Sequence, residues 1–395
     1  MKNTTIITII FLLINFSLSA QNEGEEKEKK WSLDGYITNM QSFMFDSIKS
    51  NWTNDNLVHN RLNFKWFPND IFNFTMEARN RILTGETVKY YPGYDKILEK
   101  DNGLVDLTKN FVSEKSIIFN SMIDRVYVTF EKGNLNITAG RQRINWGRSF
   151  VWNPNDIFNS YSFFDFDYPE KPGSDAIRVQ YYTSEISSAE LVVKTDSSKK
   201  ISAGALYKTN IGNYDIQFLG GIISEKEYVA GIGWEGNIKS VSFRGEVSYI
   251  HPKDNFADTT GITVISAGFD YSFGNSLMLQ FEFLYNQQSE TGGISSFGEY
   301  YSRPVSVKNL SFTEYNIYVG ANYPVTPLFN VGLSAMYYPK ISGYFAGTNL
   351  AYSFSDNVDF SFFVQNFAGK LKNKFTGKAE KQQITLAFLR LKVSF

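Results

Sequence analysis

From Trp31 to the last residue the chain alternates apolar and polar positions in short blocks. In Arg61-Leu62-Asn63-Phe64-Lys65-Trp66, Leu62, Phe64 and Trp66 share one face and Arg61, Asn63 and Lys65 the other. Phe72, Phe74, Met76 and Ala78 alternate with Asn73, Thr75, Glu77 and Arg79, and Val358, Phe360, Phe362 and Val364 with Asp359, Ser361 and Gln365. That is the period of a strand, not of a helix. About 18 such segments run from near 32–44, 56–67 and 71–83, through 119–130 and 134–143, to 342–353, 357–366 and 382–395. Their length of roughly ten residues is what a tilted strand needs to cross a bilayer. The pattern predicts an all-β fold, a transmembrane antiparallel β-barrel of about 18 strands (range 16–18), formed by one domain over 31–395.

The connections test this independently. Every other one is a tight turn, as at Pro68-Asn69-Asp70, Gly133-Asn134, Gly274-Asn275 and Ser355-Asp356-Asn357, while most of those between are longer: 45–55, 84–118, 144–173, 251–260, 289–309 and 367–381. Outer-membrane barrels put short turns on the periplasmic side and long loops outside. Aromatic residues flank the tight turns (Phe67, Phe72, Phe130, Phe273, Tyr323, Phe354), the expected periplasmic girdle. In the final segment Ala387, Leu389, Leu391, Val393 and Phe395 share a face, and the chain stops on Phe395. This is similar to the terminal targeting strand read by the outer-membrane assembly machinery, so Phe395 is the candidate assembly signal.

Composition adds a compartment. Residues 1–20 carry one charge, Lys2, then the apolar run Ile6 to Leu18 and a small-residue end, Ser19-Ala20. That is a secretory signal peptide, too short to span a membrane. Residues 21–30, dominated by Glu and Lys, read as a disordered periplasmic tether. Removing the signal leaves 38 basic against 40 acidic residues, a balance that excludes a nucleic-acid binder. An exported chain with no cysteine has no disulfide to stabilise it, and a closed barrel in lipid is one alternative source of stability.

No catalytic site is legible. His59 and His251 are the only histidines, neither beside a serine or acid at triad spacing, and no Cys or His cluster offers a metal site. The expectation is no enzyme, no metal and no cofactor. The strands begin at Trp31, leaving no room for the N-terminal plug of an energised receptor.

Parity assigns the inner face. Arg61, Lys65, Arg79, Arg81, Arg125 and Arg178, against Glu77, line one side, with Arg390 and Lys392 beside them. Asp215, Asp270, Glu282, Glu314 and Asp359 line the other, with Arg244 and Glu246 adjacent. Two walls of opposite sign would put a transverse field across a pore. The alternative is local neutralisation, since any single-residue bulge flips the parity.

The most distinctive run is Gly140-Arg141-Gln142-Arg143-Ile144-Asn145-Trp146-Gly147-Arg148, followed by Trp152-Asn153-Pro154-Asn155-Asp156 and by Gly173-Ser174-Asp175. It resembles the Gly-Arg-Gln…Trp-Gly pattern of porin-like outer-membrane families related to the alginate-export-type barrels, over about 40 residues. The resemblance implies a solute channel whose loop at 144–173 folds inward; it does not fix the solute. Arg141, Arg143, Arg148, Asp156, Asp165 and Asp167 are the constriction candidates. Their arginines either meet an anionic solute or pair with the loop's own carboxylates. By strict parity Arg141 and Arg143 would sit on the outer rim with Leu135 and Ile137, unless Gly140 marks a bulge.

The expected function is passive diffusion of small polar or anionic solutes through the bacterial outer membrane. The alternative is a non-conducting barrel, an adhesin or partner-binding subunit using the loops at 84–118 and 289–309. A lipid transporter would want an apolar lumen, and the parity gives a polar one. Expected partners are outer-membrane lipids, the barrel assembly machinery and small polar solutes, with a homo-oligomer left open and nucleic acid excluded.

Overall fold

The computed structural model describes residues 30–164, 168–287, 305–311, 313–373 and 376–395. The signal peptide read at 1–20, the tether at 21–30 up to its last residue, and Asp165 and Asp167 lie outside the described residues.

The first strands are β1 (Trp31–Phe45), β2 (Thr53–Trp66), β3 (Phe72–Gly85), β4 (Thr108–Glu114), β5 (Ile117–Lys132) and β6 (Leu135–Gln142). The middle of the chain forms β7 (Ser174–Ser184), β8 (Ser187–Thr195), β9 (Ile201–Ile211), β10 (Tyr214–Ile223), β11 (Glu227–Ile238), β12 (Val241–Pro252) and β13 (Ile262–Ser272). The last are β14 (Met278–Asn286), β15 (Tyr315–Thr326), β16 (Phe329–Tyr338), β17 (Gly343–Ser355), β18 (Val358–Lys372) and β19 (Ala379–Ser394). All belong to one sheet of 19 strands, every pairing antiparallel. β3 pairs directly with β5, so β4 stands outside the ring and 18 strands close it, as the sequence predicts.

The ring closes between β1 and β19, in register from Tyr36↔Ser394 to Phe45↔Thr385. Phe395 exchanges both backbone hydrogen bonds with Gly35, each 2.9 Å. Closure leaves no sheet edge, which in hydrocarbon would carry unpaired N–H and C=O groups costing several kcal/mol each. The tight turns follow from local chemistry. Asn69 Oδ1 accepts the N–H groups of Ile71 and Phe72, both at 2.9 Å. Gly212 and Asn213, both at positive φ (60° and 69°), make the mirror-image turn that matches strand twist.

Two stretches read as loops are partly strand or helix. Within 84–118 the chain forms two short helices, α1 (Glu86–Tyr90) and α2 (Tyr94–Glu99), and then β4. Most of 367–381 is paired strand, with Lys370↔Lys381 and Lys372↔Ala379 in register. The lysines there disguise the alternation, but Phe367 and Leu371 still point inward and are buried.

The inner face is less polar than parity suggests. Val192, Leu206, Leu219, Val229, Ile250, Val264 and Leu284, on consecutive strands from β8 to β14, form an apolar belt inside the barrel and belong to one buried cluster with loop residues between β6 and β7. The core of this protein lies within the barrel wall, not between layers.

Deleting Phe395 removes the two main-chain bonds to Gly35 and an outward-facing ring, and Phe395→Ser removes the ring alone. Phe395→Ser is expected to lower the fraction of chain showing heat-modifiable gel mobility in outer membranes several-fold. Unchanged mobility and yield would refute the role given to this terminus.

Candidate functional site

The site begins where β6 leaves the wall. Gly140 has φ +122°, and a Cβ there would lie 2.3 Å from the carbonyl oxygen of Val126, so only glycine fits. This irregularity interrupts the strict parity, and both Arg141 and Gln142 are buried. Arg141 lies in a seam of the wall, neither on a lipid-facing rim nor in a narrowing of the lumen. Its Nε and Nη2 bond Asp175 of β7 (2.6 and 2.9 Å), Nη1 bonds Asp101 (2.7 Å), and Nη2 reaches the Val105 carbonyl (2.6 Å). β4 continues the edge of β5 beyond the end of β6, and Gly103 bridges to Asp196 after β8. One guanidinium therefore joins β6, β7 and the segment that seals the gap.

The chain from Arg143 to Gly173 then runs through the lumen with little regular structure, so its N–H groups need partners. Two wall carboxylates take six of them, between Arg148 and Asn155. Glu246 of β12 accepts from the N–H groups of Arg148, Ser149 (2.7 Å) and Asn155 (2.8 Å). Glu282 of β14 accepts from Phe150 (3.0 Å), Val151 (3.1 Å) and Trp152 (2.8 Å), and from Ser266 Oγ (3.0 Å). Neighbouring wall groups add to this. Trp146 Nε1 donates to Glu190 (2.6 Å), and Gln217 Nε2 donates to the Trp146 carbonyl (2.6 Å). Trp146, Val151, Trp152, Ile157 and Phe158 pack into the apolar belt, and Phe164 reaches Phe345 and Phe367 with ring centroids 5.0 Å away.

The loop returns across the opposite wall. Arg61 Nη1 bonds Asp124 (2.8 Å), and Arg61 also pairs with Glu77. Tyr168 donates to Asp124, Tyr36 donates to Glu170 (2.9 Å), and Arg79 stacks 4.2 Å over Tyr168. Arg125 Nη2 holds the carbonyls of Glu170 (2.7 Å) and Lys171 (2.6 Å). Asp124 is the unpaired residue of a β-bulge facing Glu77 and Ala78, which turns both Asp124 and Arg125 inward.

The remaining candidates fall as follows. Arg143 pairs with Asp156 (2.8 Å), Arg178 with Glu190 (2.7 Å), and Arg244 with Asp270 (3.1 Å). Arg148 and Arg244 share Glu235. Arg81 bonds Asn120 (2.6 Å). Asp215 is exposed beside Asn210, Lys65 is exposed near the end of β2, and Glu314 precedes β15 with its carbonyl on the Asn286 N–H. Asp124, Glu190, Gln217 and Tyr168 were missed. The bulge hid Asp124, but Glu190 shares the inward parity of Ser188 and Val192 and was readable.

The closed antiparallel barrel of 18 strands matches the structures of outer-membrane porins. Among solved structures it is similar to OccAB1 of Acinetobacter baumannii (TM-score 0.54, 11% identity, covering 95% of this chain and 100% of that one). It is also similar to OccK2 (OpdF) of Pseudomonas aeruginosa (TM-score 0.56, 7% identity, 93% and 98%) and to a BenF-like porin from Pseudomonas fluorescens Pf-5 (TM-score 0.56, 9% identity, 93% and 99%). Identity this low carries the fold alone. No family model and no curated protein matches the sequence.

The seam has an acid-sensitive side. Burial pushes the Asp101 carboxyl up, but the Arg141 guanidinium and the N–H groups of Leu107 and Gly103 outweigh it and hold it below the usual carboxylate range. A depressed pKa stabilises the fold above the unfolded value, and that contribution is lost as pH falls through the folded value. Arg141→Ala should cost about 3–5 kcal/mol, as for one partner removed from a buried pair. It should also flatten the acid limb of a urea-midpoint against pH plot, and Arg141→Lys should fall between. A variant with wild-type midpoints throughout would show that the seam is held elsewhere.

Proposed function

We propose that this chain is a passive channel of the bacterial outer membrane for small polar solutes, narrowed by the loop at 143–173 and leaning towards anions. The observation that carries the charge preference is the orientation of two lumenal ion pairs, Arg143–Asp156 and Arg178–Glu190. Glu235, shared by Arg148 and Arg244, and Glu77 and Glu170 beside Arg61 are more exposed than their arginines and set a limit to it, so the preference is weak. Arg143 and Arg178 keep 20% and 27% of their side-chain surface exposed, while their partners Asp156 and Glu190 keep 1% and 2%. Glu246 and Glu282 are likewise withdrawn, their oxygens occupied by backbone N–H groups. Water in the lumen therefore meets the donor end of these pairs. Planar guanidinium donors suit carboxylate or phosphate groups, and charged rings set which ions enter a pore.

The narrower kinship with alginate-export-type barrels belongs to the same proposal. Its support is that the Gly140-Arg141-Gln142…Trp146-Gly147 run is where the chain turns from wall to lumen, each conspicuous residue having a part in the turn. A second reading, a non-conducting barrel that binds a partner through its outer loops, draws on the loop's attachment to both walls.

In planar bilayers the purified protein should conduct, with a reversal potential in a salt gradient that leans weakly towards anions. Arg143→Ala with Arg178→Ala should move it towards cations, by less in high salt, where screening is shorter-ranged. Glu246→Ala with Glu282→Ala should release the loop and raise single-channel conductance several-fold. Folded barrel with no conductance in any salt would favour the partner-binding reading. Conductance without a selectivity change would remove the anion preference.

A further inference from the structure

The outward face of the wall is not uniform. On β13 to β16 the outward positions, such as Ile265, Ala267, Phe281, Phe283, Val319 and Leu333, carry no amide or charge. On β2, β3 and β5 a polar row crosses the same face. Asn60, Asn80 and Ser121 stand opposite one another in register, and the row ends on Lys109 of β4. The rows above and below are apolar: Val58, Ile82 and Phe119 on one side, Leu62, Ala78 and Ile123 on the other. Asn60 lies six positions from Trp66, which adjoins Phe67 of the periplasmic girdle, and this puts the row ~15 Å into an apolar band ~25 Å tall. A second set, Asn39, Gln41 and Asn56, is hydrogen-bonded together nearer the outer end.

These amides are only partly satisfied. Ser121 Oγ donates to Asn80 Oδ1 (2.7 Å), Asn80 Nδ2 to Asn60 Oδ1 (3.1 Å), and Asn60 Nδ2 to the Tyr36 carbonyl (3.2 Å). Each primary amide has two N–H groups, and the described residues accept one from each. Acyl chains offer no acceptor, and an outward Lys at mid-depth costs ~2–4 kcal/mol in lipid. Below the row, Trp31, Phe64, Trp66 and Phe74 line an open groove of about 640 Å³ on the same face.

We propose that the outward face of β1, β2, β3 and β5 is an interface with a second copy of this chain, held by the amide row and the aromatic groove beneath it. A row that presents both N–H donors and carbonyl acceptors is complementary to itself, so the same surface on another barrel satisfies it. The four strands alone span roughly 480 Å² of wall at ~4.8 Å per strand over an apolar band ~25 Å tall, and roughly 700 Å² with β18 and β19 beyond the closure, against the ~800 Å² per partner of a stable interface, so the contact extends across the closure. The proposal rests on the barrel's standing in a membrane, not on what passes through it.

The chain has no cysteine, so single cysteines report without background. Asn80→Cys and Ile82→Cys test the face, with Val319→Cys and Leu333→Cys as outward controls. In native outer membranes a flexible bis-maleimide should give a product of twice the chain mass from the first two and none from the controls. In mild detergent, native mass spectrometry should find wild type as an oligomer. Asn60→Leu with Asn80→Leu should weaken that association about tenfold or more, with heat-modifiable mobility and conductance per barrel retained. Cross-links to a protein of different mass, equal cross-linking from the controls, or a wild type that stays monomeric and uncross-linked would overturn the proposal. An oligomer unchanged by the double leucine variant would overturn the part given to the amides. Conductance recorded on the same preparations fails or succeeds separately.

Discussion

A length of irregular backbone inside a barrel has the same difficulty as backbone in lipid: each buried N–H without an acceptor costs about 1–3 kcal/mol. Glu246 and Glu282 resolve it by taking six consecutive-region N–H groups, from Arg148 to Asn155, onto two carboxylates. Much else follows from that attachment. Trp146 and Phe158 lie over Gly204, where a Cβ would be 3.0 Å from the Trp146 ring. The apolar belt above the two glutamates has something to bury. The loop's return can then reach Arg125 and Asp124 on the far side. Bonds to a charged acceptor are worth roughly twice neutral ones, which offsets part of the cost of withdrawing two carboxylates from water.

The wall accommodates this loop by an exchange of strands. β6 is short because its chain is needed in the lumen, and β4 takes over the freed edge of β5. A break of this kind in a hydrocarbon-facing sheet has to be sealed by groups that satisfy backbone and charge together. Arg141 does so because its fork of five donors can serve two carboxylates and a carbonyl at once. A lysine in its place has the charge without the geometry.

Strand number, turns and closure were legible because a strand's period of two is a local property and survives any tertiary detail. Phe367 to Leu371 was obscured only because lysines occupy outward positions at the outer end of β18 and β19. The inner charges were legible as positions and not as partners. Parity puts Glu282 on the inner face, but nothing local says that its neighbours will be the N–H groups of residues 150–152. Asp124 was invisible for a different reason: a bulge changes which side a residue faces, and it leaves no mark in the sequence. Gly140 did leave one, since a glycine inside an alternating strand signals a bulge or a close approach of backbone.

The order in which these contacts can form is set by the chain's own separations. Each ring strand lies beside its neighbour in sequence apart from the β1–β19 join, so the wall can grow hairpin by hairpin with little loss of loop entropy. The lumenal loop cannot keep pace. Arg148 waits on a residue 98 positions later and Phe150 on one 132 positions later, so its anchors appear only after β12 and β14 have joined the growing sheet. Until then the N–H groups from Arg148 to Asn155 lack these acceptors, although Trp146 can already meet Glu190 of β8 and Gln217 of β10. Two carboxylates thus tie the ordering of the loop to the later half of the wall.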